Sequence, residues 1–263
     1  MMRYRILPAI LTALSYLFIL SPIVVVALIA FSAGDYFSFP PSGFSTRWFE
    51  AFFANRELKD ALLLSVELAA LSATIATVLA TLGAIGVAGR KGIVAGFLQA
   101  LFLAPLVFPT IVLGVALLIF FQSLGGVGGF TGLLIAHVVV GAPFAVRSIV
   151  ASLLSLDPRL DEAGQSLRAG PITRFRLITL PLIWPGVLAG WMFAFVVSFG
   201  ELNTAIFLST PGVTTLPIAV YNYLQFEGGQ LVIAAASTIQ MALILMLVAI
   251  VQQFVGLRRI VKS

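Results

Sequence analysis

Apolar residues run along this chain in six long stretches, at residues 7–31, 61–88, 93–121, 131–154, 182–208 and 230–257, separated by segments in which Gly, Pro and charge collect. A helix needs about 20 apolar residues to cross a bilayer, and every stretch is long enough. The pattern predicts an all-α transmembrane fold with six spans. The first stretch follows Arg3 and Arg5 as a secretory signal does. Its apolar part far exceeds the ~7–15 residues of a signal core, and bulky Phe31 sits beside the possible cut at Ala33, so it reads as an uncleaved span.

Finer periodicities say how the helices pack. Along span two, Ser72, Ala76, Ala80, Ala84 and Ala88 recur at every fourth position. Such a ridge lets two backbones approach closely in lipid, where apolar surface alone does not drive helices together. Span three contains Pro105 and Pro109, each of which removes a helix hydrogen bond and predicts a kink. Broken backbone at membrane depth is tolerated only inside protein or beside a cavity, so this span is expected to border a pathway. Between spans one and two, Phe44, Trp48 and Phe52 share a four-residue spacing. They predict a short helix at headgroup level, an interfacial anchor in the first reading and a docking surface in the second.

The connection at 155–180 is too long and polar for a turn. Asp157 followed by Pro158 offers a cap and a first-turn proline, and Gly170 followed by Pro171 repeats the signal. The segment reads as two short helices. Gly170 closes the first and opens the second, in which Ile172, Phe175 and Ile178 share one face while Arg174 and Arg176 lie elsewhere. Pro181 is expected to end it before span five.

Composition then removes most chemistry. Of 263 residues, 60% are hydrophobic and 10% charged, so lipid must be the main solvent. With no Cys and one His, His137, the chain cannot build a thiolate zinc site, an iron–sulfur cluster or a two-His metal grip, and no metal or cofactor is expected. The glycines at 125, 126, 128 and 129 follow no strand and lack dinucleotide-loop spacing, and no GxxxxGK[ST] occurs. An intramembrane enzyme would need a nucleophile–base pair that these residues do not suggest.

The net charge of +5 matters through its placement. With the N-terminus in the cytoplasm, 12 Lys and Arg fall on that side: Arg3, Arg5, Arg90, Lys91, Arg147, Arg159, Arg168, Arg174, Arg176, Arg258, Arg259 and Lys262. Only 3, Arg47, Arg56 and Lys59, fall on the other. The positive-inside rule then puts both termini in the cytoplasm, and the charge reports topology rather than nucleic-acid binding.

Polar residues within the spans are few. Glu201 is expected in the outer half of span five, with Gly186, Gly190, Ala194 and Ser198 leading up to it at four-residue intervals and Thr204 beyond. A carboxylate at the bilayer centre costs ~2.5–3.5 kcal/mol on insertion scales, so it must face the bundle interior or a wet cavity. It either balances a cationic solute or pairs structurally within a subunit interface. Glu67 reads as snorkelling to water at the outer end of span two. His137 reads as a hydrogen-bonded packing residue rather than a proton relay, and Arg147 as an interface anchor or a partner for the 155–180 segment.

Glu162, Ala163 and Gly164, followed at a fixed interval by Ile178, Thr179, Leu180 and Pro181, resemble the EAA signature of ABC importer permeases. In that family Glu-Ala-Ala is followed by a Gly and then by Ile-x-Leu-Pro. Here Gly164 replaces the second Ala and Arg168 stands at the usual Gly. A non-Gly residue in a left-handed turn costs roughly 1 kcal/mol or more, which shifts the expected break to Gly170. Segments 43–48, 142–144, 185–191 and 215–218 look like the second membrane subunit of spermidine/putrescine importers.

The resemblance implies a six-span type I ABC importer permease bundle, one transmembrane domain over 1–263, with a cytoplasmic two-helix coupling elbow at about 155–180. It implies a transport subunit rather than an enzyme, multi-pass in a bacterial inner membrane, forming half of the path for a small cationic, polyamine-like solute. The implied partners are a second permease subunit in a heterodimer, two copies of a cytoplasmic ABC ATPase, an external solute-binding protein and membrane lipid, without nucleic acid. By the same resemblance, ATPase coupling falls on Asp161, Glu162, Ala163, Gly164, Arg168, Gly170, Ile178, Leu180 and Pro181, and the substrate path on Ser198, Glu201, Asn203 and Thr204. Ferric iron, phosphonate and thiamine permeases stay open as alternatives, since Gly200, Glu201 and Leu202 also resemble iron and thiamine types. An ion-coupled secondary transporter is the reading of another class, and it would need coupling carboxylates or inverted repeats.

Overall fold

A computed structural model describes residues 3–87, 92–226 and 231–260. Ala88, Arg90, Lys91 and Lys262, with the side chains of Arg3, Arg5, Arg258 and Arg259, lie outside the described residues. Helices follow in the order α1 (Arg3–Ala30), α2 (Arg47–Ala54), α3 (Arg56–Val87), α4 (Ile93–Leu103), α5 (Thr110–Ser123) and α6 (Gly129–Leu154). Then come α7 (Arg159–Ser166), α8 (Pro171–Arg174), α9 (Leu180–Phe199), α10 (Ala205–Leu208), α11 (Leu216–Phe226) and α12 (Val232–Ile260). Among the described residues five helices are long and apolar enough to cross a membrane, and a sixth span results when the bent pair Ala100–Leu106 and Thr110–Ser123 is taken as one. The described residues form two compact units, Met1–Ala61 with Ala219–Leu243, and Leu62–Ile218 with Ile244–Ser263.

The second unit is built on contact between α6 and α9. A Cβ added to Gly190 would lie 3.1 Å from the Ala145 carbonyl oxygen and 3.2 Å from its Cα, and one on Gly141 would lie 3.4 Å from the Ala194 methyl. Ser148 Oγ donates to the Gly186 carbonyl at 2.9 Å. The small face of span five therefore packs on α6, where backbones close enough for such contacts replace the missing hydrophobic drive. The α3 ridge is buried at Ser72, Ala76, Ala80 and Ala84. Hydrogen bonds join Ser72 Oγ to Ser198 Oγ at 2.9 Å and Trp191 Nε1 to Thr74 Oγ1 at 3.0 Å, tying α3 to α9.

Two expected spans are broken. Span three turns by 114° between Ala100–Leu106 and Thr110–Ser123, far more than a proline kink. Pro105 sits in a 3₁₀ turn over Ala104–Leu106, and Pro109 becomes the N-cap of α5 with ψ 133. Two prolines one turn apart each remove a backbone donor from the helix ladder, and Ala104, before Pro105, keeps helical angles at φ −51 and ψ −41, so the chain leaves the helical region only at Pro109. Span five, expected over 182–208, ends as a helix at Phe199 and resumes only as α10. Glu201 thus stands just beyond α9 rather than within it.

In the first unit part of the aromatic stripe packs on protein. Phe52 is fully buried, and Trp48 and Phe49 pack against Ile29, Ala30 and Leu231. Arg47 holds the loop before α2 by pairing with Asp35 at 2.6 Å, bonding the Gly34 carbonyl and lying 4.5 Å from the Trp48 ring centroid. Phe44 alone of the stripe is exposed, at 73%.

Gly190→Ala is expected to lower the unfolding stability of the assembled protein by about 1–3 kcal/mol, because the added methyl meets Ala145 backbone that cannot swing aside. Gly96→Ala in α4, whose added Cβ meets nothing within 4 Å, is the control and should be neutral or slightly stabilising. Equal denaturation midpoints for the two variants would contradict the close-packing account.

Candidate functional site

The broken ends of spans three and five meet at Thr110. Thr204 Oγ1 donates to the Thr110 carbonyl and Asn203 Nδ2 to Thr110 Oγ1, both at 3.1 Å. Gly114 makes the approach possible, since a Cβ there would lie 2.9 Å from Thr204 Cα. Glu201 is buried, and its Oε1 accepts the Thr204 N–H at 2.8 Å, which starts the short helix α10. No salt bridge reaches Glu201 among the described residues, so the subunit supplies it with a backbone donor rather than a cation. Beside it lies a cavity of about 130 Å³ lined by Phe108, Thr110, Leu113, Val140, Phe144 and Glu201, among others.

The four expected path residues fall into two groups. Glu201 borders the cavity, and exposed Asn203 stands beside it through Thr110. Ser198 and Thr204 are buried and bonded internally. Ser198 Oγ lies between Ser72 Oγ and His137 Nδ1, at 2.9 and 2.7 Å, so it joins three helices. His137 is the hydrogen-bonded packing residue that was expected, although its Nε2 is buried with no partner. Glu67 is exposed on α3, and Arg147 is exposed on α6 without an ion pair among the described residues. Thr110, Phe108 and Phe144 escaped the sequence reading. Only the position of Thr110 directly after Pro109 hinted that its side chain would meet another break.

The elbow forms with three corrections. Asp157 Oδ1 accepts the Arg159 N–H at 3.0 Å and caps α7, as expected. Arg168 itself adopts the left-handed conformation, φ 56, while Gly170 is extended at φ −64 and ψ 160. The Arg168 N–H bonds the Gln165 carbonyl at 2.8 Å and the Ala169 N–H bonds the Gly164 carbonyl at 3.0 Å. These two bonds are a Schellman cap, which satisfies carbonyls that the helix end leaves free and so holds a non-Gly residue in the turn. Gly170 serves only to open α8.

Pro181 does not end the second elbow helix. Pro171–Phe199 is one helix of 29 residues, with a π turn at Phe175–Thr179 in which the Leu180 N–H reaches the Phe175 carbonyl. That wider turn, placed just before a residue that cannot donate, keeps the helix continuous. It also shifts the helical period, so the expected apolar face divides: Ile172 is 73% exposed, and Arg174 turns inward instead. Arg174 Nη1 pairs with Asp161 Oδ2 at 2.6 Å. A Cβ on Gly164 would lie 3.0 Å from Ile178 Cδ1 and 3.1 Å from Arg174 Cγ, which explains why Gly fits where Ala was expected. Glu162 and Ala163 are exposed on α7, while Leu180 is half-buried and Pro181 exposed at the root of α9.

The whole chain has the fold of an ABC importer permease. A bacterial ABC transporter involved in the import of the acidic polysaccharide alginate superposes with a TM-score of 0.76 at 17% identity, over 98% of this chain and 96% of that one. The MetNI methionine ABC transporter gives 0.64 at 19% identity, over 76% and 94%. Residues 76–261 match the binding-protein-dependent transport system inner membrane component family, and the chain belongs to that family. Among curated relatives, the putrescine transport system permease protein PotI of Escherichia coli K12 is 32% identical, covering 80% of this chain and 76% of that protein. The spermidine/putrescine transport system permease protein PotC of the same strain is 30% identical, covering 89% and 88%. The molybdenum transport system permease protein ModB of Haemophilus influenzae is 38% identical, but over 48% of this chain and 62% of that protein. The chain is thus a multi-pass permease subunit of an ABC importer.

Arg168→Gly should relieve the left-handed strain by about 1 kcal/mol and slow amide exchange at residues 167–169 about fivefold. Arg168→Val, β-branched and worse suited to positive φ, should speed it. Unchanged exchange in both variants would remove the strain argument.

Proposed function

We propose that this chain is one of two permease subunits of an ATP-driven importer for a small organic cation of the polyamine class. Glu201 carries the reading: a buried carboxylate with no cation among the described residues, bordering a cavity with two phenylalanines. In a low-dielectric site a fixed negative charge attracts an ammonium far more than in water. The rings of Phe108 and Phe144 offer a cation further attraction, and the apolar wall suits a methylene chain. The relatives that span most of the chain are named for putrescine and spermidine, which supports the same class over iron, phosphonate or thiamine. Family membership weighs against an ion-coupled secondary transporter.

The remaining machinery follows from the same reading. The whole of 1–263 acts as one transmembrane domain paired with a second, different permease subunit. The Lys and Arg bias of 12 to 3 supports cytoplasmic termini and a cytoplasmic elbow. Two ATPase copies dock on the elbows, where Glu162 and Ile172 are exposed, and an external binding protein delivers the solute. Because elbow and span form one helix of 29 residues, nucleotide that favours one elbow arrangement biases the position of the Glu201 end as well. That differential is what drives alternating access.

Glu201→Gln should keep the α10 cap, since its amide oxygen can still accept the Thr204 N–H, yet abolish most uptake of labelled putrescine in proteoliposomes. Normal assembly with lost uptake supports the path role. Unchanged uptake, or failure to assemble, which is the signature of a structural carboxylate, counts against it.

Glu162→Lys reverses an exposed charge and should cost the fold little. Transport and co-purification of the ATPase are expected to fail together while the permease still inserts. Survival of both removes the coupling role from Glu162.

A further inference from the structure

A second cavity, of about 390 Å³, lies beneath the elbow, away from Glu201. Its walls include Ile85, Leu153 and Leu182, which stand near the elbow-side ends of the apolar helices α3, α6 and α9. Phe175 and Ile178 of the π turn extend the apolar wall. At its polar end stand Asp157, Asp161 and Arg174.

Those three side chains leave bonding capacity unused. Only Nη1 of the Arg174 guanidinium has an acceptor among the described residues, and Nε is buried with none. The Arg174 side chain is only 18% exposed, so bulk water cannot hydrate the group fully. Asp157 uses Oδ1 for the α7 cap, and Asp161 uses Oδ2 for Arg174 and Gln165. One oxygen on each carboxylate has no partner among the described residues. A donor-rich cation beside two half-used carboxylates asks for a ligand with both an anionic acceptor and a hydrogen-bonding ammonium. An apolar wall contributed by span ends asks for a hydrocarbon chain on the same ligand.

We infer that the cleft binds an aminophospholipid of the phosphatidylethanolamine type from the leaflet on the elbow's side. The phosphate meets Arg174, the primary ammonium meets Asp157 and Asp161, and one acyl chain lies along Ile85, Leu153 and Phe175. A charged guanidinium bonds phosphate oxygens strongly, and an N–H donor on the ammonium distinguishes this headgroup from a quaternary one. The lipid thereby fills the space between elbow and span ends, so that the elbow moves against a packed surface rather than a void. This site does not depend on which solute the importer carries.

The assembled importer can be reconstituted in nanodiscs of phosphatidylethanolamine, phosphatidylcholine or phosphatidylglycerol, re-extracted in mild detergent and weighed by native mass spectrometry. A stoichiometric phosphatidylethanolamine should remain bound, with retention about tenfold above the other two, as the loss of one charge-assisted hydrogen bond implies. Leu153→Trp, which fills the cleft with protein, should reduce that retention to the level of the other lipids while the importer stays assembled. If that variant fails to assemble, Ile85→Trp fills the opposite wall, and the headgroup comparison on the unaltered importer stands alone. Equal retention of all three headgroups, or full retention in an assembled cleft-filling variant, overturns the assignment.

Discussion

The contact between α6 and α9 is the constraint on which the rest depends. In lipid, two apolar helices gain nothing from hiding apolar surface, so they adhere by van der Waals contact at short range and by buried hydrogen bonds. Gly141 against Ala194, and Gly190 against Ala145, bring the backbones close enough for the first. Ser148 on the Gly186 carbonyl, and Ser198 between His137 and Ser72, provide the second. With α9 fixed along its length, both ends of the continuous helix Pro171–Phe199 acquire defined positions: Phe199 hands the chain to Glu201, and Pro171 receives it from α7.

At the first of those ends, irregular backbone is made tolerable by pairing one break with another. Pro109 frees the start of α5, Glu201 caps the start of α10, and Thr110 links the two through Asn203 and Thr204. Backbone polar groups that no helix satisfies need partners in an apolar setting, and here Glu201 takes the Thr204 N–H while Thr204 bonds the Thr110 carbonyl of the other break. The arrangement leaves the Glu201 carboxylate beside a small cavity with no salt bridge among the described residues.

At the other end, mechanical continuity replaces the hinge that two prolines and a glycine suggested. The π turn carries the helix past Pro181, and the Schellman cap holds Arg168 in a turn that Gly ordinarily takes. Arg174 and Asp161 then clamp α7 to the start of the long helix. The elbow is thus tied to its neighbouring helix by an ion pair and continues directly into a long apolar helix.

The apolar stretches, the elbow at 155–180 and the small-residue faces were legible in the sequence, whereas the breaks in spans three and five, which put Glu201 beyond α9, were not. The legible features rest on local properties: hydropathy over about 20 residues, four-residue spacing on a helix, and the conformational limits of Pro and Gly. The partners of those features were not legible. Small residues announce close approach but not the approaching helix, and only the fold shows that the face leading to Glu201 packs on α6. The aromatic stripe of α2 read first as a headgroup anchor, and only the fold shows the protein surface on which Trp48 and Phe49 pack. Whether Pro181 ended a helix depended on a π turn, and whether Arg168 or Gly170 took the left-handed position depended on two carbonyls waiting at the end of α7. Local chemistry sets where a chain can bend or pack; only the surrounding groups, brought in from distant sequence, decide which of those options has its hydrogen bonds and contacts satisfied.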